Sequence, residues 1–292
     1  MEPRSLDEIL ADARATVVPG VFDALSARIA ARAGASALYL TGFGVAGASF
    51  GVPDIGLVGA SEMIERTGTI AAACDSLPLI ADGDNGHGGP LNAAKLTRAY
   101  ERAGAACIQL EDQVLPKRCG HMEDKEVVSR TEATRKIAAA AQARDSKRFK
   151  IMARTDARAT HGLDEALRRG EDFLRAGADI LFVEAPRTAE EMRRVAETFA
   201  GVPLVANLVE DGKTPLLSVA ELERLGYRIV LYPVSALLAV TARLEAVYDL
   251  LLRGDRNRLD GDRASFRHYN EILKLPELLA VTGRLAETYK EE

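Results

Sequence analysis

The residues best suited to chemistry sit in two stretches. Leu79 to Pro90 reads LIADGDNGHGGP, an apolar run that stops at two aspartates, Asp82 and Asp84, separated by one glycine. Paired carboxylates at the end of a buried strand suit a hard cation such as Mg²⁺, and the four glycines among them let the backbone approach a ligand closely. Lys117 to His121 reads KRCGH, which sets the thiol of Cys119 among three potential cations, Lys117, Arg118 and His121. Such a setting favours thiolate, so Cys119 is a candidate acid, base or nucleophile. His87 and His161 are read as loop histidines rather than ligands.

Further polar residues fall where strands are expected to end: Thr41, Glu111 with Asp112, Arg154 with Asp156, Glu184, and Asn207. Asp82, Asp84 and Glu111, with Asp54 nearby, could not all stay ionised without a cation, because like charges at close range raise one another's pKa. Bound Mg²⁺, or Mn²⁺ in its place, resolves the repulsion and keeps positions open for a chelating substrate. Arg154 offers the planar fork that pairs with a carboxylate. The expected substrate is therefore an acid with an adjacent oxygen donor, a 2-hydroxy or 2-oxo acid.

Eight apolar runs would have to place these groups. They are ATVVPGVFD, ALYLT, the run into Asp82, CIQLED from Cys107, Phe149 to Thr155, Asp179 to Glu184, Pro203 to Asn207, and Arg228 to Tyr232. Helical patterns alternate with them at Asp23 to Ala33, Ala60 to Ala73, Asn92 to Arg102, Thr131 to Ala143, Leu163 to Arg175, Ala189 to Phe199, Val219 to Leu225, and Ser235 to Leu252. GFGVAGASFGVPD, after the second strand, reads as a glycine-rich loop with backbone N–H groups for an anion. Ser5 to Glu8 forms a capping box that opens a short first helix. Eight strand–helix units predict an α/β fold, a (β/α)₈ TIM barrel, whose strand ends converge on one face.

The first break in this alternation is RGDRNRLDGDR from Arg253. Residues 1–253 are accordingly expected to form the barrel and 254–292 a C-terminal helical extension. Its apolar positions, Phe266, Ile272, Leu275, Leu278, Leu279 and Leu285, must be buried on another subunit or back on the same barrel.

The composition excludes several classes. With 292 residues, 47% hydrophobic, the chain can bury a large core, and a formal charge of −5 without a basic block argues against nucleic acid. MEPRSLDEIL lacks the apolar core of a signal peptide and no run of about 18 apolar residues occurs, so a cytoplasmic protein without a membrane partner is expected. Cys74, Cys107 and Cys119 fit neither a disulfide framework nor a zinc site.

Together, TGFGVAG, PDIG, ADGDNGHGG, LEDQ, KRCGH, ARTDA, VEAP and NLVEDGKTPL resemble the isocitrate lyase and phosphoenolpyruvate mutase superfamily over nearly the whole chain. The resemblance implies a Mg²⁺-dependent enzyme with Asp82 and Asp84 as ligands and with Asp54 and Glu111 acting largely through water. It also implies that Thr41, Gly42, Phe43, Gly120, His121, Arg154, Asn207 and Pro233 line the substrate site, that Glu184 orients it, and that the segment carrying Cys119 closes over bound ligand. Superfamily members that cleave carbon–carbon bonds carry this cysteine. The implied reaction is retro-aldol (retro-Claisen) cleavage of a 2-hydroxy dicarboxylate to pyruvate and a carboxylic acid, with Cys119 as proton donor. Tyr39 matches an active-site tyrosine of the lyases, which makes it either the base or a core residue.

Within the superfamily, methylisocitrate lyases are similar but, as aligned, carry arginines where Leu238 and Tyr269 stand here. GHGGPLN, CGHM and EDGKTPL resemble the dimethylmalate-type lyases more closely. Oxaloacetate hydrolases are similar too, with serine where Pro233 stands. A 2,3-dimethylmalate or 2-alkylmalate is therefore the expected substrate, with 2-methylisocitrate the alternative and oxaloacetate or phosphonate chemistry more distant. A helix-exchanging dimer or tetramer is the expected assembly.

Overall fold

A computed structural model describes residues 3–74, 76–118, 125–255 and 263–288. Eight strands form the centre: β1 Thr16–Val21, β2 Leu38–Leu40, β3 Leu79–Asp82, β4 Cys107–Glu111, β5 Lys150–Thr155, β6 Ile180–Val183, β7 Val205–Asn207 and β8 Ile229–Tyr232. They pair in parallel in the order β6-β5-β4-β3-β2-β1-β8-β7. A parallel bridge between Leu181 and Leu204 brings β6 to the chain entering β7, so the sheet is a nearly closed barrel.

The helices are α1 Leu6–Ala11, α2 Ala24–Arg32, α3 Gly42–Val45, α4 Ala60–Ala73, α5 Pro90–Arg102, α6 Arg130–Ala143, α7 Ala157–His161, α8 Leu163–Arg175, α9 Ala189–Thr198, α10 Val219–Leu225, α11 Ser235–Leu252, α12 Phe266–Ile272 and α13 Leu275–Thr288. Their starts are written in side chains: Ser5, Asp23 and Ser218 each accept from a backbone N–H three residues on, as helix N-caps do. Among the described residues, no helix is long and apolar enough to cross a membrane.

Strand alternation sorts the barrel into two layers. Leu38, Leu40, Leu79, Ala81, Ile108, Leu110, Ile151, Ala153, Leu181 and Val183 belong to the core that also takes in the helices. Tyr39, Ile80, Cys107, Met152, Ile180, Phe182, Val205, Ile229 and Leu231 form a second core inside the barrel, joined by Leu6 and Ile9 of α1. Thus α1 covers the N-terminal end of the barrel with apolar side chains. Continuing the same alternation by two residues toward the strands' C-terminal ends gives Thr41, Asp82, Gln109 and Glu111, Arg154, Glu184, Asn207 and Pro233. The barrel interior is apolar at one end and carries the candidate chemistry at the other.

One local expectation changes. GFGVAGASFGVPD is not an open loop: Thr41 caps α3, accepting from Gly44 N at 3.3 Å, and a π-helical turn follows at Ala46–Phe50. Burial of Val45 and Ala46 against the core overrides the low helix propensity of the glycines.

By compactness the chain divides into Met1–Leu237, which contains the barrel, and Leu238–Glu292. None of the residues of α11 is buried. Leu244, Tyr248, Leu252, Leu278, Leu279 and Leu285 are among the exposed apolar side chains of the second unit.

Candidate active site

The site is built outward from Asp82, the last residue of β3. Its carboxylate accepts from Gly42 N (3.2 Å), Asp84 N (3.1 Å) and Gln109 Nε2 (3.1 Å), and its carbonyl accepts from Tyr100 Oη at 2.8 Å. Burial first, and then the neighbouring Asp84, push the Asp82 carboxyl up to about 6. Asp84 follows with a left-handed backbone, φ 49°, which Asp tolerates better than most residues and which turns the chain at the strand end. Gly42 lets the backbone approach the carboxylates closely, since a Cβ there would stand 2.9 Å from Asp82 Oδ2 and 3.4 Å from Asp84 Oδ1.

Lys117 joins the carboxylates. Its ammonium, almost wholly buried, lies 2.5 Å from Asp54 Oδ1 and 2.6 Å from Asp84 Oδ1. Burial pulls this lysine down, but Asp84, Asp54, Glu111 and Asp82 together outweigh it and hold the ammonium well above its ordinary value. Burial raises the carboxyl of Asp54 and lifts that of Glu111 well above the usual range, partly opposed by Lys117 and Arg154 respectively.

Arg154, from β5, lies across from this cluster. Its Nε and Nη2 both meet Asp156 at 3.0 Å, Nη1 is 3.3 Å from Glu111 Oε2, and Nε is 3.6 Å from Glu184 Oε2. The guanidinium also lies 5.3 Å from the Phe182 ring centroid. The fork expected to grip a substrate carboxylate is therefore occupied by Asp156, and Nη1 is the edge that faces Glu111. Asp156 is fixed in turn by Lys125 Nζ (2.8 Å) and, through its own N–H, by Asp112 (2.8 Å), which also accepts from Thr155 and Arg169. Asn207 Nδ2 donates to both oxygens of buried Glu184, at 3.4 and 3.3 Å, and Ala185 follows with a φ of 53°, strain of the kind that collects at functional sites.

Of the remaining expected site residues, Thr41 is buried, Phe43 half-buried, and Pro233 buried with its carbonyl against β1; a Cβ on Gly20 would meet that oxygen at 2.1 Å. Cys119, Gly120 and His121 lie outside the described residues. Cys74 and Cys107 are buried free thiols. Tyr39 Oη donates to Gln109 Oε1 at 2.9 Å, and burial together with Asp82 holds the phenol well above its ordinary value. These surroundings favour the neutral phenol in the metal-free protein.

The sequence reading missed three positions. Gln109 shares the inner face of β4 with Glu111, but its partners Tyr39 and Asp82 lie 70 and 27 residues away and leave no local signal. Lys117, read there as a cation beside Cys119, is engaged by Asp54 and Asp84. Lys125 carries no local signal, because its partner Asp156 is 31 residues away.

The donor set fits a divalent cation. It is all oxygen, anionic and desolvated, and Glu111 Oε1 is buried without a hydrogen-bond partner among the described residues. Among those residues no three such side chains converge on a single point as they stand, and the Lys117 ammonium lies between Asp54 and Asp84.

Residues 6–252 match the phosphoenolpyruvate phosphomutase family. The chain is 44% identical over 280 residues to 2,3-dimethylmalate lyase of Eubacterium barkeri, covering 96% of each chain. It is 44% identical over 234 residues to 2-methylisocitrate lyase of Bacillus subtilis, covering 80% of this chain and 76% of the relative. A crystal structure of 2,3-dimethylmalate lyase superimposes with a TM-score of 0.89 at 38% identity, covering 96% of this chain and 93% of the other.

Proposed function

This chain belongs to the phosphoenolpyruvate phosphomutase family, and from that premise we propose that it is a carbon–carbon lyase. Its substrate is a 2-hydroxy dicarboxylate of the 2,3-dimethylmalate or 2-alkylmalate type, cleaved to pyruvate and a carboxylic acid. The observation that carries this reading is the wall of buried carboxylates, Asp82, Asp84 and Glu111, facing Arg154 at the C-terminal ends of adjacent strands. Such a wall suits an acid whose adjacent oxygen chelates a cation, and the likeness to 2,3-dimethylmalate lyase narrows the class.

Superfamily members use a divalent metal ion. Here Asp82 and Asp84 would hold Mg²⁺ or Mn²⁺, with Asp54 and Glu111 reaching it through water. The ion supplies the positive charge that lets these carboxylates remain ionised together and draws the substrate's oxygens into the site.

The chain's own groups do the rest. Thr41, Gly42 and Phe43 line one side of the substrate's carboxylate, with Arg154 and Asn207 on the other, and Glu184 holds both of these in place. The 2-hydroxyl proton passes to the carboxylate of Glu111, whose Oε1 is buried without a hydrogen-bond partner among the described residues. A carbonyl forms at carbon two and the bond to carbon three breaks, leaving its electron pair on carbon three as a carboxylate enolate. Cys119 delivers a proton to that carbon, with Gly120 and His121 beside it.

A second reading, 2-methylisocitrate cleavage to succinate and pyruvate, is favoured by the 44% identity to a 2-methylisocitrate lyase. Against it, neither Leu238 nor Tyr269 brings a charge for a third carboxylate. A Mg²⁺-supported pyruvate-release assay compares racemic 2,3-dimethylmalate with 2-methylisocitrate, using Cys119→Ser as control. Faster release from dimethylmalate, lost in the variant, is expected. Faster release from methylisocitrate transfers the assignment to the second reading, and unchanged turnover in Cys119→Ser removes the proposed proton donor. The exposed apolar faces of α11 and α13 suit a second copy of this chain, so a homo-oligomer is proposed and light scattering tests it.

A further inference from the structure

Gln109 is fully buried on the inner face of β4, between Tyr39 of β2 and Asp82 of β3. Its carbonyl oxygen accepts from Tyr39 Oη at 2.9 Å and its amide nitrogen donates to Asp82 Oδ1 at 3.1 Å. Only one orientation of this amide works. Turned over, it would aim its oxygen at the carboxylate of Asp82, which as an anion is only an acceptor. Asp82 therefore fixes the amide, and the amide fixes the hydroxyl proton of Tyr39.

A phenol has a single proton to donate. With that proton committed to Gln109, the Tyr39 oxygen can only accept. Resting on the reading of the site given above, we propose that Gln109 is a positioning residue that makes the site prefer a 2-hydroxy acid over the matching 2-oxo acid. A 2-hydroxyl brings the proton that Tyr39 lacks. A 2-oxo group brings only lone pairs and meets the lone pairs of Tyr39. Sites built around such a polar match discriminate strongly, because the wrong ligand leaves a buried group unpaired.

The test is equilibrium calorimetry of the Mn²⁺-loaded protein with malate and with freshly dissolved oxaloacetate, a pair differing at carbon two. Wild type is expected to bind malate more tightly. Gln109→Met frees the Tyr39 proton and should reduce the malate-to-oxaloacetate preference about tenfold. Tyr39→Phe should do the same, and the double variant should lose no more than Tyr39→Phe alone. Gln109→Glu, close in shape and still able to accept from Tyr39, should keep the preference and separates proton placement from packing. An unchanged preference in Gln109→Met, or losses that add in the double variant, overturns the role of Gln109 and leaves the lyase reading standing. Wild type binding neither acid overturns both.

Discussion

The ammonium of Lys117 stands 2.6 Å from Asp84 Oδ1, and both side chains are almost wholly buried. With Asp54 on its other side, Lys117 is an internal counter-ion for the carboxylates proposed to hold metal. Removing one partner of a buried ion pair costs about 3–5 kcal/mol, because the other charge is left uncompensated. Lys117→Met should therefore lower the melting temperature of the metal-free protein, and Mn²⁺ should restore more of it than it adds to wild type. Differential scanning fluorimetry across a Mn²⁺ titration reads both. Equal Mn²⁺-induced shifts in the two proteins would separate Lys117 from the metal site.

Asp82 makes the same cluster sensitive to pH. Its carboxyl, held up to about 6 by burial and Asp84 against an ordinary value of 3.8, binds its proton more tightly in the folded chain than in the unfolded one. In metal-free protein its contribution to stability is thus fully present below 3.8 and is lost as pH rises through about 6. Metal requires the ionised form, so affinity should run the other way, falling about tenfold per unit as pH drops below that range. Mn²⁺ binding followed by electron paramagnetic resonance between pH 5 and 8, in wild type and Asp82→Asn, gives the result: wild type should show the fall, and the variant should bind weakly with no inflection near pH 6.

Arg154 depends on a residue that does not face the proposed substrate. Asp156 takes both Nε and Nη2 of its fork and is itself tied to Lys125. Asp156→Asn keeps the shape but gives up the charge that holds this fork in register, a supporting contact of the kind worth about 10–100-fold in function. A fall in kcat/KM of that size is expected, concentrated in KM if Arg154 grips the substrate carboxylate. Steady-state kinetics with 2,3-dimethylmalate checks it, and a change confined to kcat would place Arg154 in the chemical step instead.

How far the sequence revealed this arrangement depends on the range of the interactions. The alternation of apolar runs and amphipathic stretches is local, and it predicts all eight strands, most of the helix boundaries and the convergence of strand ends. Asp82, Glu111, Arg154 and Glu184 were legible because each follows an apolar run. The pairing of Lys117 with Asp54 and Asp84 was not, since contacts across 63 and 33 residues leave no periodic trace. The same holds for Gln109, whose polarity looks unremarkable in a strand until Tyr39 and Asp82 are seen on either side. The helix at Gly42–Val45 was hidden for another reason: glycine content reports conformational freedom, while the Thr41 cap and buried Val45 decide how that freedom is used.

That helix carries the final prediction. Gly42 N donates to Asp82 Oδ2, and its Cα faces the carboxylates so closely that an added methyl would sit 2.9 Å from Asp82 Oδ2 and 3.4 Å from Asp84 Oδ1. Its φ is not left-handed, so alanine carries no backbone penalty there and the conflict is with the two side chains alone. Overpacking of this kind costs about 1–3 kcal/mol. The fold should survive Gly42→Ala, with near-native circular dichroism, because these carboxylates can swing away. Swinging away takes them out of register with each other, so Mn²⁺ affinity should fall at least tenfold and pyruvate release with it. A variant that keeps wild-type Mn²⁺ affinity would show that neither carboxylate oxygen facing Gly42 belongs to the metal site.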